Sequence, residues 1–367
     1  MKKTVIFSLC VGCIFILSHC DKVENSDNGI FPIETGDYSK VAFISRITDN
    51  SAEWSLYVMD VSGNNMRKIV DEAVACQKPI RSHSGTKLLF TTVKFDSWAN
   101  EDNSVGMSSE YSLYIVNTDG TNPTLIDHVD AMESGTFGSA AWSPDDRQIV
   151  YVKYSGVSWE KCDLFQYNIL DNTRKTLKTG SGIYTPNFSP NGRQIVYCAS
   201  TETGCHIYKM DVNGNNNQLI INNASSPKWS PQGDKIVYLS SGIDGSSQIS
   251  VANADGNDQK QLTSSVSSEW WDTGFPRDGN EDPQWAPDGK KIVYVSMENE
   301  RPEIFIMNAD GNNQTRLTTA EYRAESPEIT PDGQYILFSS NGIVIMSLDG
   351  SNQRVLSNVG ICPVACK

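Results

Sequence analysis

Histidine, the commonest metal ligand and proton shuttle, occurs four times in 367 residues. His83 falls in a turn signal, and His128 and His206 fall in separate segments. Two or three scattered imidazoles do not make the nitrogen-rich set of a transition-metal centre. No G-x-S-x-G nucleophile elbow occurs. The residues that could do other chemistry gather in polar stretches. "VKFDSWANEDNSVGMSSEY" (93–111) carries Trp98, Glu101 and Asp102. "SSVSSEWWDTGFPRDGNED" (264–282) carries Trp270, Trp271, Asp272, Phe275, Arg277, Asp278, Glu281 and Asp282. Trp54 and Trp159 lie in shorter stretches of the same kind. Tryptophan offers a large contact area at low entropic cost, for a protein partner or the face of a sugar. A carboxylate pair such as Asp102 and Asp278 would suit glycoside hydrolysis if suitably separated, and Arg277 could donate to hydroxyls.

Two other groupings are read as structural. "NADGNN" (308–313) and "NADGND" (253–258) place oxygen side chains at alternate positions, as a calcium loop does. The twelfth positions counted from Asn308 and Asn253 are Thr319 and Ser264, where a calcium loop needs a bidentate glutamate. These are hairpin turns. Downstream of the N-terminal segment the cysteines are Cys76, Cys162, Cys198, Cys205, Cys362 and Cys366, with no C-x-x-C pair among them. Cys198 and Cys205 flank a short connection between two strands and are the candidate disulfide. No metal and no cofactor are expected.

The elements that position these stretches are repeats. "WSPDDRQIVYV" (142–152), "FSPNGRQIVYC" (188–198), "WSPQGDKIVYL" (229–239), "WAPDGKKIVYV" (285–295), "ITPDGQYILFS" (329–339) and the looser "RSHSGTKLLFT" (81–91) share one form. A strand ends, a Pro-Asp-Gly turn or its variant follows, and an apolar strand begins. A second phrase comes after each: a strand, an Asx-Gly turn and a short strand. Its turns include "DVSGNN" (60–65), "NTDGTN" (117–122), "NILDNT" (168–173), "DVNGNN" (211–216) and "SLDGSN" (347–352). Each unit therefore holds four antiparallel strands, A to D, the pattern of a β-propeller blade.

The second phrase occurs seven times and the first six. "SKVAF" (39–43) is a strand B with no strand A before it. "CPVACK" (362–367) aligns with "SPKWSP" (226–231), with Pro363 on Pro227 and Ala365 on Trp229. The C-terminus is thus expected to supply strand A of the first blade and close the ring, which removes an open sheet edge. Seven blades result; six is the alternative if a terminal unit is degenerate. Trp142, Phe188, Trp229 and Trp285 recur at one position of strand A and are read as packing between blades, and Arg81 holds that position in blade 2. The D-to-A and B-to-C connections share one face. On it 93–111, 127–139 and 264–282 are read as long loops, and long loops in compact domains are usually functional. The alternative is that they pack on one another and plug the channel mouth.

These phrases resemble the WD40-like repeats of the TolB family of β-propellers, from about Ser39 to the end. The resemblance implies a propeller that binds protein partners in the cell envelope. The same repeats occur in oligopeptidase propellers and oligogalacturonate lyases. The lyases would imply a histidine-held metal, which His128 and His206 do not supply. TolB proteins have six blades and a separate N-terminal α/β domain. Here only a short polar stretch precedes the first blade, so a TolB-like chain without that domain is expected.

Lys2 and Lys3 precede the apolar run "VIFSLCVGCIFIL" (5–17), a secretory signal too short to span a bilayer as a helix. It ends at "LSHC" (17–20), which resembles a lipobox, with His19 where a small residue is usual. The expected division is a signal peptide over 1–19, a tether over 20–38 lipidated at Cys20, and the propeller over 39–367. The formal charge of −14 and the lack of a basic stripe argue against nucleic acid. Membrane contact is expected only through the lipid. The leading expectation is an exported, non-catalytic scaffold in the periplasm or at the surface, held as an outer-membrane lipoprotein. It would bind an envelope protein through its loop face. The alternative is a carbohydrate binder or lyase-like carbohydrate-active enzyme at the channel mouth.

Overall fold

A computed structural model describes residues 38–45, 54–73, 78–99, 105–130, 135–156, 161–264, 279–297, 301–319 and 323–367. Every regular element among them is a strand. β1 (Lys40–Ser45), β2 (Trp54–Asp60) and β3 (Arg67–Ala73) form strands B, C and D of blade 1. Blade 2 holds β4 (Ile80–Arg81), β5 (Lys87–Ala99), β6 (Val105–Asn117) and β7 (Thr124–Val129). Blade 3 holds β8 (Gly135–Trp142), β9 (Gln148–Ser155), β10 (Lys161–Asn168) and β11 (Thr173–Gly180). In blade 4 they are β12 (Ile183–Phe188), β13 (Gln194–Thr201), β14 (Gly204–Asp211) and β15 (Gln218–Ile221). Blade 5 comprises β16 (Ala224–Trp229), β17 (Lys235–Ser241), β18 (Ser247–Asn253) and β19 (Lys260–Gln261). Blade 6 comprises β20 (Asn280–Trp285), β21 (Lys291–Ser296), β22 (Glu303–Asn308) and β23 (Thr315–Arg316). Blade 7 has β24 (Glu325–Ile329), β25 (Tyr335–Ser339), β26 (Ile343–Ser347) and β27 (Arg354–Ser357).

The last strand, β28 (Ile361–Cys366), pairs antiparallel with β1, placing Ala365 opposite Val41. Trp229 stands opposite Ile236 in the same way in blade 5. The ring is therefore seven-bladed and closed by the two ends of the described chain. The first strands contact one another all the way round and form the inner wall.

Packing between blades follows from strand alternation. Strand B carries a buried aromatic directly opposite one on strand C in five blades: Phe43–Tyr57, Phe90–Tyr114, Tyr151–Phe165, Tyr197–Tyr208 and Tyr294–Phe305. Their ring centroids lie 5.5 to 5.9 Å apart. Such pairs add about 1 kcal/mol each beyond the area they bury. The recurring aromatics of strand A pack against the preceding blade, as Trp142 does against Leu89 and Leu113. The Trp142 indole donates to the Ile80 carbonyl at 3.0 Å and the Trp285 indole to the Lys228 carbonyl at 3.4 Å.

The outer turns latch each blade to the one before. The C–D turn glycines Gly63, Gly120, Gly214, Gly256, Gly311 and Gly350 all have positive φ and sit against strand D of the preceding blade or the residue beside it. Cations on strand D donate to carbonyls of the next turn: Arg67 to Asp119, Lys175 to Asn213, Lys260 to Asp310 and Arg354 to Val61, at 2.7 to 3.0 Å. The last of these joins blade 7 to blade 1. Within the turns, the Asp255 and Asp310 carboxylates accept from the backbone N–H two residues on. These oxygens serve the hairpin itself.

Two stretches read as loops are mostly strand. Residues 93–111 continue the B–C hairpin of blade 2, with pairing from Lys87–Asn117 out to Ala99–Val105. Extending β5 and β6 to thirteen residues each lets the backbone satisfy its hydrogen bonds on the way out. Within 127–139, all but 130–134 belongs to β7 and β8. Trp54, expected in a loop, opens β2 and packs on the core between blades 1 and 2.

Candidate functional site

Strand A is the inner edge of every blade, so a proline there sacrifices no ladder bond. Pro186, Pro227, Pro283, Pro327 and Pro363 each follow a residue with positive φ: Thr185, Ser226, Asp282, Ser326 and Cys362. The register slips at the same point in each of these strands. Beyond the bulge, between each proline and the residue that packs between blades, the inner wall carries a side chain that changes from blade to blade: Asn187, Lys228, Gln284, Glu328 and Val364.

Four blades contribute charge to that lining. Lys78 Nζ lies 2.8 Å from Glu328 Oε2 and donates to the Pro327 carbonyl at 3.2 Å. Arg81 Nε lies 3.5 Å from the other Glu328 oxygen. Lys228 Nζ contacts Asp282 Oδ1 at 2.6 Å. The Gln284 amide donates to the Pro327 carbonyl and, at 3.4 Å, to Asp282. At the rim Arg323 pairs with Glu325 at 2.6 Å, and Glu281 stands beside Asp282. Lys78, Arg81, Lys228 and Arg323 thus face Glu281, Asp282, Glu325 and Glu328 in a charge-balanced mouth.

The cluster sorts its carboxyls. Burial opposes ionisation of Glu328, but Lys78 and Arg81 outweigh it and hold the carboxyl below its usual range. Burial likewise opposes ionisation of Asp282, and Lys228 with Lys78 reverses the balance. Glu281 goes the other way: its side chain is exposed, but the protein crowded around it, then the charges of Asp282 and Glu325, push it up. Lys78 keeps its proton above the ordinary range because Glu328 and Asp282 overcome its burial. Asp282 is walled in by protein yet keeps 37 % of its side chain open to the channel. Water therefore screens the pairs, which limits what each contributes.

Arg81 is settled by this geometry. It is paired with Glu328 and lies over the Tyr38 ring, 5.6 Å from its centroid. Lys78, Lys228, Gln284 and Glu328 were not singled out from sequence. Their signal was available: Lys228, Gln284 and Glu328 each sit between the recurring proline and the recurring aromatic or Ile329, where the residue type changes from blade to blade.

The residues singled out from sequence are distributed differently. Trp98 lies in β5 near the hairpin tip, its backbone opposite Gly106. Glu101, Asp102, Trp159, Trp270, Trp271, Phe275, Arg277, Asp278 and Cys20 lie outside the described residues. Cys198 and Cys205 are joined by a disulfide between β13 and β14, with Cα atoms 6.4 Å apart. His206 is buried; Nδ1 accepts from the Asn223 N–H at 3.2 Å, and Nε2 meets the Thr201 and Thr203 hydroxyls at 3.0 Å. His128 is exposed beside Asp130. Among the described residues no group of three or more His, Cys, Asp or Glu side chains is placed to hold a metal ion.

Comparison with known proteins gives a consistent picture. The family model described as the TolB beta propeller domain matches residues 97–280. The Tol-Pal system protein TolB of Francisella tularensis subsp. mediasiatica is 27% identical over 255 residues, covering 66% of this chain and 55% of that protein. The chain spans about half or less of the length of the curated relatives it matches. The crystal structure of TolB from Acinetobacter baumannii superposes with a TM-score of 0.53 at 21% identity, covering 89% of this chain and 82% of that one. An oligogalacturonate lyase from Vibrio parahaemolyticus superposes with a TM-score of 0.59 at 12% identity, covering 89% of this chain and 93% of that one. At these identities the structural likeness concerns the fold.

Proposed function

The chain belongs to the TolB beta propeller domain family, and from that premise we propose that it is a non-catalytic cell-envelope module that binds another protein across its D-to-A and B-to-C face. The observation that carries this reading is the mouth on that face. It is polar, balanced in charge and braced by ion pairs between blades 2, 5, 6 and 7. Paired, oriented charges of this kind select a complementary partner and suppress wrong ones more than they add raw affinity. The blade 2 hairpin extends the same side of the molecule, and the Trp270–Trp271 segment leads into blade 6 beside Asp282.

The reading includes export by the 1–19 signal and anchoring through lipid on Cys20, with 20–38 as the tether. The partner is an envelope protein, as the relationship to a Tol-Pal component supports.

The test is affinity capture from envelope extract with the mature chain, beside a Trp270→Ala, Trp271→Ala double variant and Glu328→Gln. Any captured protein is identified and re-bound in purified form. A purified partner that binds the native chain and is weakened by either variant is the expected result. Failure of every purified candidate to bind, or equal binding by all three proteins, would sink the proposal.

A further inference from the structure

A cavity of about 220 Å³ opens between blades 6 and 7, and the strand register explains why it is there. At one position near the start of strand C, blades 3 to 6 carry a buried polar side chain: Asp163, His206, Gln248 and Glu303. The same position in blade 7 is Gly342. Its φ is +134°, and a Cβ there would meet the Ser357 carbonyl, so only glycine fits. The next position on that face is aromatic in blades 3, 4 and 6, as Phe165, Tyr208 and Phe305, and is Val344 in blade 7. Strand alternation turns both positions toward the preceding blade, where Val344 and Phe338 pack against Val293 and Ile304. Blade 7 therefore lacks one side chain and most of another on this face, and the space stays open.

Phe338 and Val344 form the floor. Val355, opposite Val344 on strand D and 50% exposed, forms an apolar wall. Around them stand Thr319 from blade 6 and Ser340, Asn341, Gln353 and Asn358 from blade 7. Ser340 is half-buried and the other four are exposed, so a ligand can reach them. The side-chain hydrogen bonds of this region run elsewhere. Thr318 accepts from the Ile304 N–H at 3.0 Å, and the Ser357 hydroxyl donates to the Val359 carbonyl at 2.8 Å. The side chains of Thr319, Ser340, Asn341, Gln353 and Asn358 have no hydrogen-bond partner among the described residues. No lining residue is charged.

An amide presents a donor and an acceptor side by side, and a hydroxyl is both at once. Amides and hydroxyls gathered around an apolar wall, with no charge, match adjacent hydroxyls on a ring whose C–H edge is apolar. The volume lies below the ~300 Å³ at which small-molecule sites usually begin, which limits the ligand to a single ring. We propose that this cavity binds one ring of an uncharged sugar. The C–H edge of the ring lies on Val355, and its hydroxyls exchange hydrogen bonds with Asn341, Gln353 and Asn358. The site shares no residue with the ion-paired channel mouth and does not depend on a protein partner there.

The test is ligand-observed NMR titration of the mature chain with the methyl glycosides of glucose, galactose, mannose and N-acetylglucosamine. Cyclohexanol, which keeps the ring but not the adjacent hydroxyls, and glucuronate, which adds a charge, are the controls. At least one glycoside is expected to bind at millimolar concentration or below. Cyclohexanol is expected to be at least about tenfold weaker because it forgoes the paired hydrogen bonds, and glucuronate likewise because no cation in the lining meets its charge. Val344→Phe restores the aromatic of blades 3, 4 and 6 and fills the floor, so it should weaken the bound glycoside by at least about tenfold. A Gln353→Ala, Asn358→Ala double variant should weaken it by a similar factor. Both of those residues are exposed, so the double variant tests binding even if Val344→Phe does not fold. No binding of any of these glycosides, equal binding of cyclohexanol or glucuronate, or unchanged binding by the double variant would overturn the proposal.

Discussion

Lys78 and Glu328 stand 250 positions apart in the chain and 2.8 Å apart in the ring. Their ammonium and carboxylate reach past blade 1, whose strand A comes from the opposite end of the chain from its other three strands. The contact therefore depends on ring closure and reports on it. Breaking a buried pair by removing one partner costs several kcal/mol; these side chains keep 25% and 16% of their surface, which reduces that figure. Lys78→Met is expected to lower unfolding stability by about 2 kcal/mol, measured by chemical denaturation. A loss smaller than the scatter of the fit would mean the pair is fully screened.

The pH dependence follows from the sorted carboxyls. Glu328 and Asp282 bind protons more weakly folded than unfolded. Their stabilisation is complete above the unfolded carboxylate range and is lost as pH falls through their lower folded values. Glu281 is raised, so its ionisation costs stability above its folded value, and the cost is gone below the unfolded one. Lys78 contributes below the ordinary lysine value of 10.5 and loses that contribution as pH rises through its higher folded value. Thermal melts across pH should show Glu328→Gln flattening the acid limb. Glu281→Gln should raise the midpoint near neutral pH and give no gain in strong acid. A gain that persisted in acid would contradict the assignment of Glu281.

Closure itself is open to test. Val364 and Cys366 are buried in a core with Ala42, Ile44, Leu56 and Leu88. Deleting residues 361–367 would expose that core and leave β1 as a free edge, a template for association. The truncated chain is expected to melt at lower temperature and to associate in light scattering. A monomer with an unchanged melt would argue that β28 adds nothing to the ring.

The blade count and the closing strand were legible because turn chemistry is local. Pro-Asp-Gly and Asx-Gly announce themselves within a few residues, and Pro363 could be aligned with Pro227 by inspection. The extended hairpin at 93–111 was not legible, because "FDSWANED" lacks the β-branched run of the other strands and reads as polar loop. The channel cluster was half legible. Arg81 and Asp282 had been noted individually, but no local pattern states that Asp282 meets Lys228 or that Glu328 meets Lys78. Those contacts depend on how far the ring turns between blades.

The disulfide can be tested by thiol counting. Cys162 and Cys366 are buried free thiols, whereas Cys198 and Cys205 are bonded. Burial pushes the Cys366 thiol up to about 12, so it resists alkylation in the native state. In denaturant without reductant, Cys198 and Cys205 should stay unlabelled and become reactive only after reduction. Because the bridge closes a short loop, a Cys198→Ser, Cys205→Ser variant should lose about 2 kcal/mol. Full labelling of both cysteines before reduction would remove the bridge from the account.

The C–D turns make the sharpest packing prediction. Gly256 has φ +86°, and a Cβ there would run into the Ile220 carbonyl of the preceding blade, where backbone has no room to give. Gly256→Ala combines left-handed strain with a backbone clash and should cost about 2 kcal/mol or more. Blade 3 supplies the control. Its turn has no glycine, and Leu170 stands there 69% exposed. Leu170→Ala should change stability by less than about 0.5 kcal/mol, as surface substitutions away from special features do. Denaturation of the two variants side by side separates a latch between blades from a turn that merely reverses the chain. If Gly256→Ala proved as mild as Leu170→Ala, the close approach to Ile220 would not be a determinant of how the blades pack.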